Sequence, residues 1–378
     1  MNKDKRILIV GAGPVGLAAA IELTRRGAKP RIIDQNSGPN PNSRALAVNT
    51  RTLDLMEPSG VSGKLLAAGH QLHRAVMREG LKIRARFNFS MIPHKYNFLL
   101  VLAQHETEVI LEKHLAAMGI KVERNLALTG LETGDKPKVT LSNGKSETFD
   151  IVIGTDGAHS VVRKALGITY PGESEPDQFG LADVTIENPP FPDDTAVITF
   201  LDPHVAPYIP MGKNQGNLGI GRFITTVPDC LHHLPPDAKI RSVVWDTDFR
   251  ISYRQADTYQ KDNCFIAGDA AHIHSPVGGR GMNLGIEDAC WLAWLIDEGR
   301  EKEFTTLRHP VAKHVLGFTH GFTRLARANG LGRKLAVNVG LPLLSHLPFV
   351  QRKLFYMLSA QDTPAPPWLQ GAVPAFDL

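Results

Sequence analysis

Cysteine is scarce in this chain. Cys230, Cys264 and Cys290 are the only three, and no two of them form a C-x-x-C pair. The spacing offers neither a dithiol redox centre nor a cysteine-based zinc site, and it suits buried thiols in a reducing cytoplasm. An excess of one charge is also missing. Lys and Arg number 42 against 38 Asp and Glu, a formal net charge of +4. That balance gives no argument for nucleic acid, and no nucleic-acid-binding signature accompanies it. No apolar run is long enough to span a bilayer. The first such run, Ile7 to Val10, is too short for a signal-peptide core and leads straight into a glycine turn. Internal repeats and long low-complexity tracts are absent. The remaining composition, 43% hydrophobic and 21% charged, is ordinary for a globular protein. Its 378 residues accommodate two domains, or one large domain with an insertion.

What the chain does have is three glycine-and-acid segments spread over most of its length. They are Gly11-Ala-Gly-Pro-Val-Gly16, Gly154-Thr-Asp-Gly-Ala-His-Ser-Val-Val-Arg163, and Gly268-Asp-Ala-Ala-His272 running on to Pro276-Val-Gly-Gly-Arg-Gly-Met-Asn283. The first follows an apolar strand and opens a helix expected over residues 14–26. Gly27 ends that helix and a second strand covers residues 31–34, a βαβ beginning with parallel strands. The alternation of Leu81, Ile83, Ala85 and Phe87 with Lys82, Arg84 and Arg86 predicts a half-exposed strand within 76–89. Helical periodicity returns over 100–118. Residues 121–131 and 138–141 read as a strand pair, and 149–153 as a buried strand. Residues 170–263 are rich in proline and turns, with short alternating runs at 195–200, 206–210 and 217–224. Residues 264–267 read as another strand of the first domain, 284–296 as a helix, and the remainder as mainly helical until an irregular end from Thr363.

Each segment offers specific chemistry. Gly11 permits a tight turn, Gly13 lets backbone approach a diphosphate, and Gly16 lets the helix pack close to the strand. Pro14 and Val15 open the helix, whose free N–H groups favour an anion. Asp34, followed by Gln35, ends the second strand where a carboxylate would accept ribose hydroxyls. This much does not separate NAD from FAD; the third segment does. Asp269 ends a buried strand and can bind a ribityl or phosphate-side hydroxyl. Beyond it, Gly278, Gly279 and Gly281 lead into a helix starting near Met282, whose positive end can face the pyrimidine edge of an isoalloxazine. In the second segment, Asp156 either contacts the cofactor or mainly stabilises its own loop with Ser160 and Arg163. His272 and His274 flank the third segment without further ligands, so packing or hydrogen bonding is expected of them and no metal site is.

With Ser43-Arg44-Ala45-Leu46, Asn49-Thr-Arg-Thr-Leu53 and Leu100-Val-Leu-Ala-Gln104 added, the chain resembles the class A flavoprotein monooxygenases, the aromatic hydroxylases typified by para-hydroxybenzoate hydroxylase, and more closely the phenol and polyketide hydroxylases. The likeness covers about the first 300 residues. It implies an α/β fold: a Rossmann-like FAD-binding domain (1–75, 100–169 and 264–303), an inserted sheet-based substrate domain (76–99 and 170–263) and a C-terminal helical segment (304–378). It also implies that Arg44, Gln104 and Asp269 contact FAD, that Pro276 borders flavin and substrate, and that Gly281 to Asn283 face the pyrimidine, with Gly279 beside them at the cofactor. Arg280 stands where many relatives have glutamine. Many larger relatives carry a thioredoxin-like C-terminal domain, for which this chain leaves no room. The implied reaction reduces FAD with NAD(P)H, adds O2 at flavin C4a and passes a hydroxyl from the hydroperoxide to a phenolic or polycyclic aromatic substrate.

For the substrate, Tyr208 and Arg222 on the expected sheet are candidates, with His204, His94 and Tyr96 behind them; no catalytic base is singled out. From residue 304 onward Arg308, Lys313, Arg324, Arg327, Arg333, Lys334, Arg352 and Lys353 face only Asp362 and Asp377 as acids. This segment is expected to pack over the flavin domain with its basic residues in water, rather than to lie on a membrane. Two other readings stay open: a flavin oxidoreductase that does not hydroxylate, and a flavin-bearing binding or sensing protein. Oligomeric state is not legible.

Overall fold

The computed structural model describes residues 5–369, apart from Pro203 and positions 328, 329, 331, 333 and 334. Arg333, Lys334, Asp377 and the last of the expected irregular end therefore lie outside the described residues. Two sheets organise the chain. One has six strands, in the order Gln260–Lys261, Cys264–Ile266, Ile151–Gly154, Ile7–Val10, Arg31–Ile33, Val122–Glu123. All neighbours are parallel except the first pair. Ile7–Val10 and Ile151–Gly154 are buried along their whole length, as unbroken apolar runs covered on both faces must be. Helix Pro14–Arg25 carries proline in its first turn and packs on helix Gly281–Glu298.

The second sheet has eight strands: His272–Ile273, Lys239–Gln255, Gly172–Glu187, Leu218–Thr225, Val205–Pro210, Thr195–Phe200, Arg74–Glu79 and Lys82–Asn88. Its ladders are antiparallel except where Thr195–Phe200 meets Arg74–Glu79. Five residues, 267–271, thus carry the chain from one sheet to the other, because Cys264–Ile266 belongs to the first and His272–Ile273 to the second.

Several expectations are revised. The strand expected within 76–89 is a hairpin, turning at Gly80 (φ 54°) and Leu81. Leu81 is consequently exposed at the tip, while Ala85 and Phe87 are buried. The helix expected over 100–118 starts at Gln104, because Leu99–Val101 is the centre strand of a small sheet with Ala47–Val48 and His70–Leu72. The pair expected at 121–131 and 138–141 divides: Leu128–Glu132 pairs with Lys138–Leu141, whereas Val122–Glu123 edges the parallel sheet. Strands Gly172–Glu187 and Lys239–Gln255 escape sequence reading. Register shifts interrupt their pairing, and the first half of Lys239–Gln255 is largely exposed on both faces, so neither strand keeps a clean period of two.

Arg308, expected in water, is 1% exposed. It donates to Asp288 Oδ1 (2.7 Å) and Glu287 Oε1 (3.0 Å). His272 Nε2 meets the other Asp288 oxygen at 2.6 Å. Burial alone would push the Asp288 carboxyl up, and Arg308, with the hydrogen bond to His272, more than reverses it. Helix Phe304–Arg327 is thereby keyed to helix Gly281–Glu298 and to the second sheet. Replacing Arg308→Met strands two buried carboxylates and is expected to cost about 3–5 kcal/mol, measured by urea unfolding. A loss below about 1 kcal/mol would mean that the carboxylates find other partners.

Candidate active site

The two sheets and the C-terminal helices enclose one large cavity of about 850 Å³, the size of a site for a drug-sized or larger ligand. Gly13, Pro14 and Val15 line it. The first helix has no side-chain cap, so its leading N–H groups are available to an anion. Gly11 lies at φ 103°, where a Cβ would fall 2.5 Å from the Thr155 carbonyl oxygen. Asp34 is 9% exposed and shapes this turn, accepting from Ala12 N (2.6 Å) and Asn36 N (2.7 Å). Gln35 next to it is exposed and does not line the cavity.

The third segment brings Asp269, Pro276, Gly279, Gly281 and Met282 to the cavity wall. The Asp269 backbone carbonyl accepts from Tyr170 Oη at 2.8 Å, but its carboxylate has no hydrogen bond among the described residues. The side chain is open to the cavity yet deep within the protein. Burial raises its pKa, and His272 and Arg44 act against that rise. Gly278 and Gly279, both at positive φ, turn the chain into helix Gly281–Glu298. Its N-terminus, with no side-chain cap, faces the same space. Asn283 is buried and does not line the cavity. Its amide joins the neighbouring loops, donating to Ala47 O (2.8 Å) and Gly279 O (2.5 Å) and accepting from Asn49 N (2.9 Å). Arg280 also turns away. Its guanidinium is held by Asp362 Oδ1 (3.0 Å) and the Met357 carbonyl, so it straps the C-terminal segment to the glycine loop.

Arg44 and Gln104 line the cavity side by side in the fold. Leu102 N donates to Leu46 O (2.8 Å) and Gln104 N to Ala45 O (3.1 Å), which aligns the two stretches. The Arg44 guanidinium stacks 5.0 Å from the Phe249 ring and has no carboxylate partner among the described residues. The Asp156 carboxylate instead serves its own loop: Ser160 Oγ (2.5 Å), Val161 N (2.7 Å) and Val162 N (3.1 Å) all donate to it. Thr155, Gly157 and Ala158 line the cavity in its place.

On the second sheet, Tyr208 lines the cavity and Arg222 does not. Arg222 is 2% exposed, bidentate to Asp183 (2.6 and 2.7 Å), and donates to the Arg44 carbonyl at 2.8 Å; it positions Arg44. The Tyr208 ring packs 4.7 Å from Phe223 and over Gly221, where a Cβ would fall 2.5 Å from it. Burial pushes its hydroxyl pKa well up. Ala75, Met77, Ala196, Ile198 and Phe200 make the surrounding wall apolar. His94, Tyr96 and His204 stand outside the cavity; His94 pairs with Asp54 (3.2 Å) and His204 with the His233 carbonyl (3.0 Å). His274 lies at the wall, its Nδ1 on Ser275 O (3.0 Å), and burial lowers its pKa to about 3. Sequence reasoning missed Phe318, Leu354 and Leu358, which close the cavity from the C-terminal helices. Their only signal is helical apolar spacing, which any core helix shares.

A Rossmann-like layer with an acid-bearing glycine loop opposite an apolar sheet face defines a flavoprotein of the aromatic-hydroxylase fold. Known proteins agree. The chain matches the FAD binding domain family over residues 4–219 and 226–316. It is 33% identical to 6-methylpretetramide 4-monooxygenase of Streptomyces rimosus, covering 94% of this chain and 68% of that one. It is 32% identical to pentachlorophenol 4-monooxygenase of Sphingobium chlorophenolicum, covering 88% and 66%. It thus spans about two thirds of these relatives' length. The crystal structure of p-nitrophenol 4-monooxygenase from Pseudomonas putida DLL-E4 superposes with a TM-score of 0.83 at 20% identity, over 95% of this chain and 99% of that one. The chain belongs to the FAD-binding domain family, among the class A FAD-dependent aromatic monooxygenases.

The residues present fit FAD. A carboxylate and a guanidinium without partners of opposite charge face one cavity, and two uncapped helix N-termini point at it. Asp269→Ala is expected to weaken FAD retention at least roughly tenfold, the scale of a hydrogen bond to a charged group, measured by fluorescence titration of the apoprotein. An unchanged dissociation constant removes Asp269 from the cofactor site.

Proposed function

We propose that this protein hydroxylates a phenolic or polycyclic aromatic substrate, using NAD(P)H and O2. The observation that carries the proposal is the division of the cavity. Its glycine-loop wall bears the charged and donor groups that suit a dinucleotide, and its sheet wall is largely apolar and carries the Tyr208 hydroxyl. When bound, FAD supplies the redox chemistry, taking electrons from NAD(P)H and activating O2 for transfer to a ring. Gly13 to Val15 would hold the diphosphate at the first helix N-terminus, and Asp34, which does not itself line the cavity, would hold the turn that receives it. Asp269 would take a ribityl or phosphate-side hydroxyl, and Arg44 and Gln104 would contact the cofactor from the cavity wall. The uncapped N-terminus of helix Gly281–Glu298 would stabilise negative charge at the pyrimidine edge.

The apolar wall from Ala75 to Phe200 receives the ring and excludes water. Tyr208 stays protonated because burial disfavours its anion, so it orients a substrate oxygen by hydrogen bonding and does not act as a base. The names of the relatives, which include a chlorophenol and a pretetramide monooxygenase, support a phenol or fused-ring substrate.

The direct test is a panel of phenolic and polycyclic aromatics, read by NAD(P)H oxidation and product mass. A gain of one oxygen atom is expected. Substrate turnover that persists without O2 would indicate a reductase, and no turnover with any reductant would indicate a binding protein. Tyr208→Phe is expected to raise KM for a phenol about fivefold with FAD content unchanged. An unaltered KM would place the substrate oxygen elsewhere.

A further inference from the structure

The C-terminal helices have two faces of different character. One closes the molecule. Phe355 and Val337 are buried, and Phe355 packs with Ala85, Phe87 and Phe89 of the hairpin region. Leu354 and Leu358 line the cavity. The other face is apolar and uncovered. Leu335, Val339 and Leu343 recur at four-residue spacing and are 55%, 50% and 66% exposed; Leu344, Leu347 and Phe349 follow at 50%, 39% and 65%. The hairpin tip adjoins this face, since Asn338 donates to Glu79 at 3.1 Å. It adds Leu81, 65% exposed. Solitary exposed leucines need no explanation, but a run of six in fifteen residues does.

Charge indicates what covers it. Arg352 and Lys353 are exposed one turn beyond Phe349, and Lys82 is exposed at the hairpin tip. From 332 to 369 the only described acid is Asp362, and Arg280 and His314 engage it. Glu79 is paired with Arg84. An apolar face rimmed by cations, with its acids already neutralised, complements an anionic lipid surface.

We propose that the exposed face of residues 335–353 docks on an anionic bilayer surface without crossing it. Among the described residues no helix is long and apolar enough to cross a membrane. The same helix, Pro348–Leu358, carries Phe349 and Arg352 outward and Leu354 and Leu358 into the cavity wall. Docking therefore sets the cavity wall beside the phase into which apolar aromatics partition. The docking surface itself does not depend on the proposed reaction.

The test is co-sedimentation of the full chain, loaded with FAD, with two kinds of vesicle. One is phosphatidylcholine alone; the other is phosphatidylcholine mixed with phosphatidylglycerol. Binding is expected to the mixed vesicles only and to fall with added salt. Leu343→Ser with Phe349→Ser should weaken it roughly tenfold or more. Arg352→Ser with Lys353→Ser should weaken it about 30-fold and leaves the apolar face intact. FAD content and melting temperature confirm that each variant folds. Failure to bind mixed vesicles, or binding that both double variants retain, overturns the proposal. A concentration-dependent dimer that forms without vesicles and is dissolved by Leu343→Ser with Phe349→Ser assigns the face to a second copy, and overturns it too.

Discussion

The structure depends on a close approach of three backbones around Val15. A Cβ on Gly268 would fall 2.8 Å from the Val15 side chain. One on Gly285 would fall 2.6 Å from it and 3.0 Å from the Gly268 Cα, and one on Gly16 would fall 1.9 Å from the Gly11 carbonyl oxygen. The two principal helices and the loop between the sheets therefore meet at distances only glycine permits. Because the chain passes from the parallel to the antiparallel sheet within these same residues, the contact also fixes how the two sheets face each other. Asp269 sits at that seam, and its position follows from packing rather than from any bond its carboxylate makes.

The use of charge separates framework from site. Asp34, Asp156, Asp183 and Asp288 each accept two or more hydrogen bonds from the protein itself. Such carboxylates hold turns and strands in register, and a buried polar group satisfied in this way is what a folded interior demands. Asp269 and Arg44 depart from that pattern while facing one cavity. Leaving two opposite charges apart in a partly desolvated space is costly unless a ligand completes them. The second sheet reinforces the arrangement, because Arg222 spends its charge on Asp183 and the Arg44 carbonyl, and so presents Arg44 to the cavity.

The glycine segments were legible in the sequence because their physical requirement is local: a turn, a close approach and a helix start can be read at fixed spacing. So were the unbroken apolar strands Ile7–Val10 and Ile151–Gly154. Legibility failed where the decisive partner is distant in sequence. Arg308 looks like one more exposed base until Glu287 and Asp288 meet it. Asn283 resembles a cofactor contact until its amide is seen joining Ala47, Asn49 and Gly279. Tyr208 and Arg222 lie one register step apart on paired strands, Tyr208 opposite Phe223 and Arg222 opposite Ile209, so the pleat turns them to opposite faces; that register is set by the pairing and cannot be read from either strand alone. The long strands Gly172–Glu187 and Lys239–Gln255 were hidden because register shifts and two-sided exposure remove the alternation by which a strand is recognised.

Arg280 shows how a residue within the glycine loop can serve the framework instead of the cavity. Its neighbours Gly279 and Gly281 face the cavity, but its own side chain is 1% exposed and points to Met357 and Asp362. Arg51 holds the same strap, through its backbone N–H to Ser359 O (3.1 Å) and its guanidinium to Thr363 O (3.1 Å). Two arginines from the cofactor layer thus anchor the stretch that follows helix Pro348–Leu358. That helix is a wall of the cavity, so the anchoring makes the C-terminal segment part of the site and couples the position of Leu354 and Leu358 to the glycine loop. The anchoring is firm, because a buried guanidinium cannot surrender its partners without a desolvation cost.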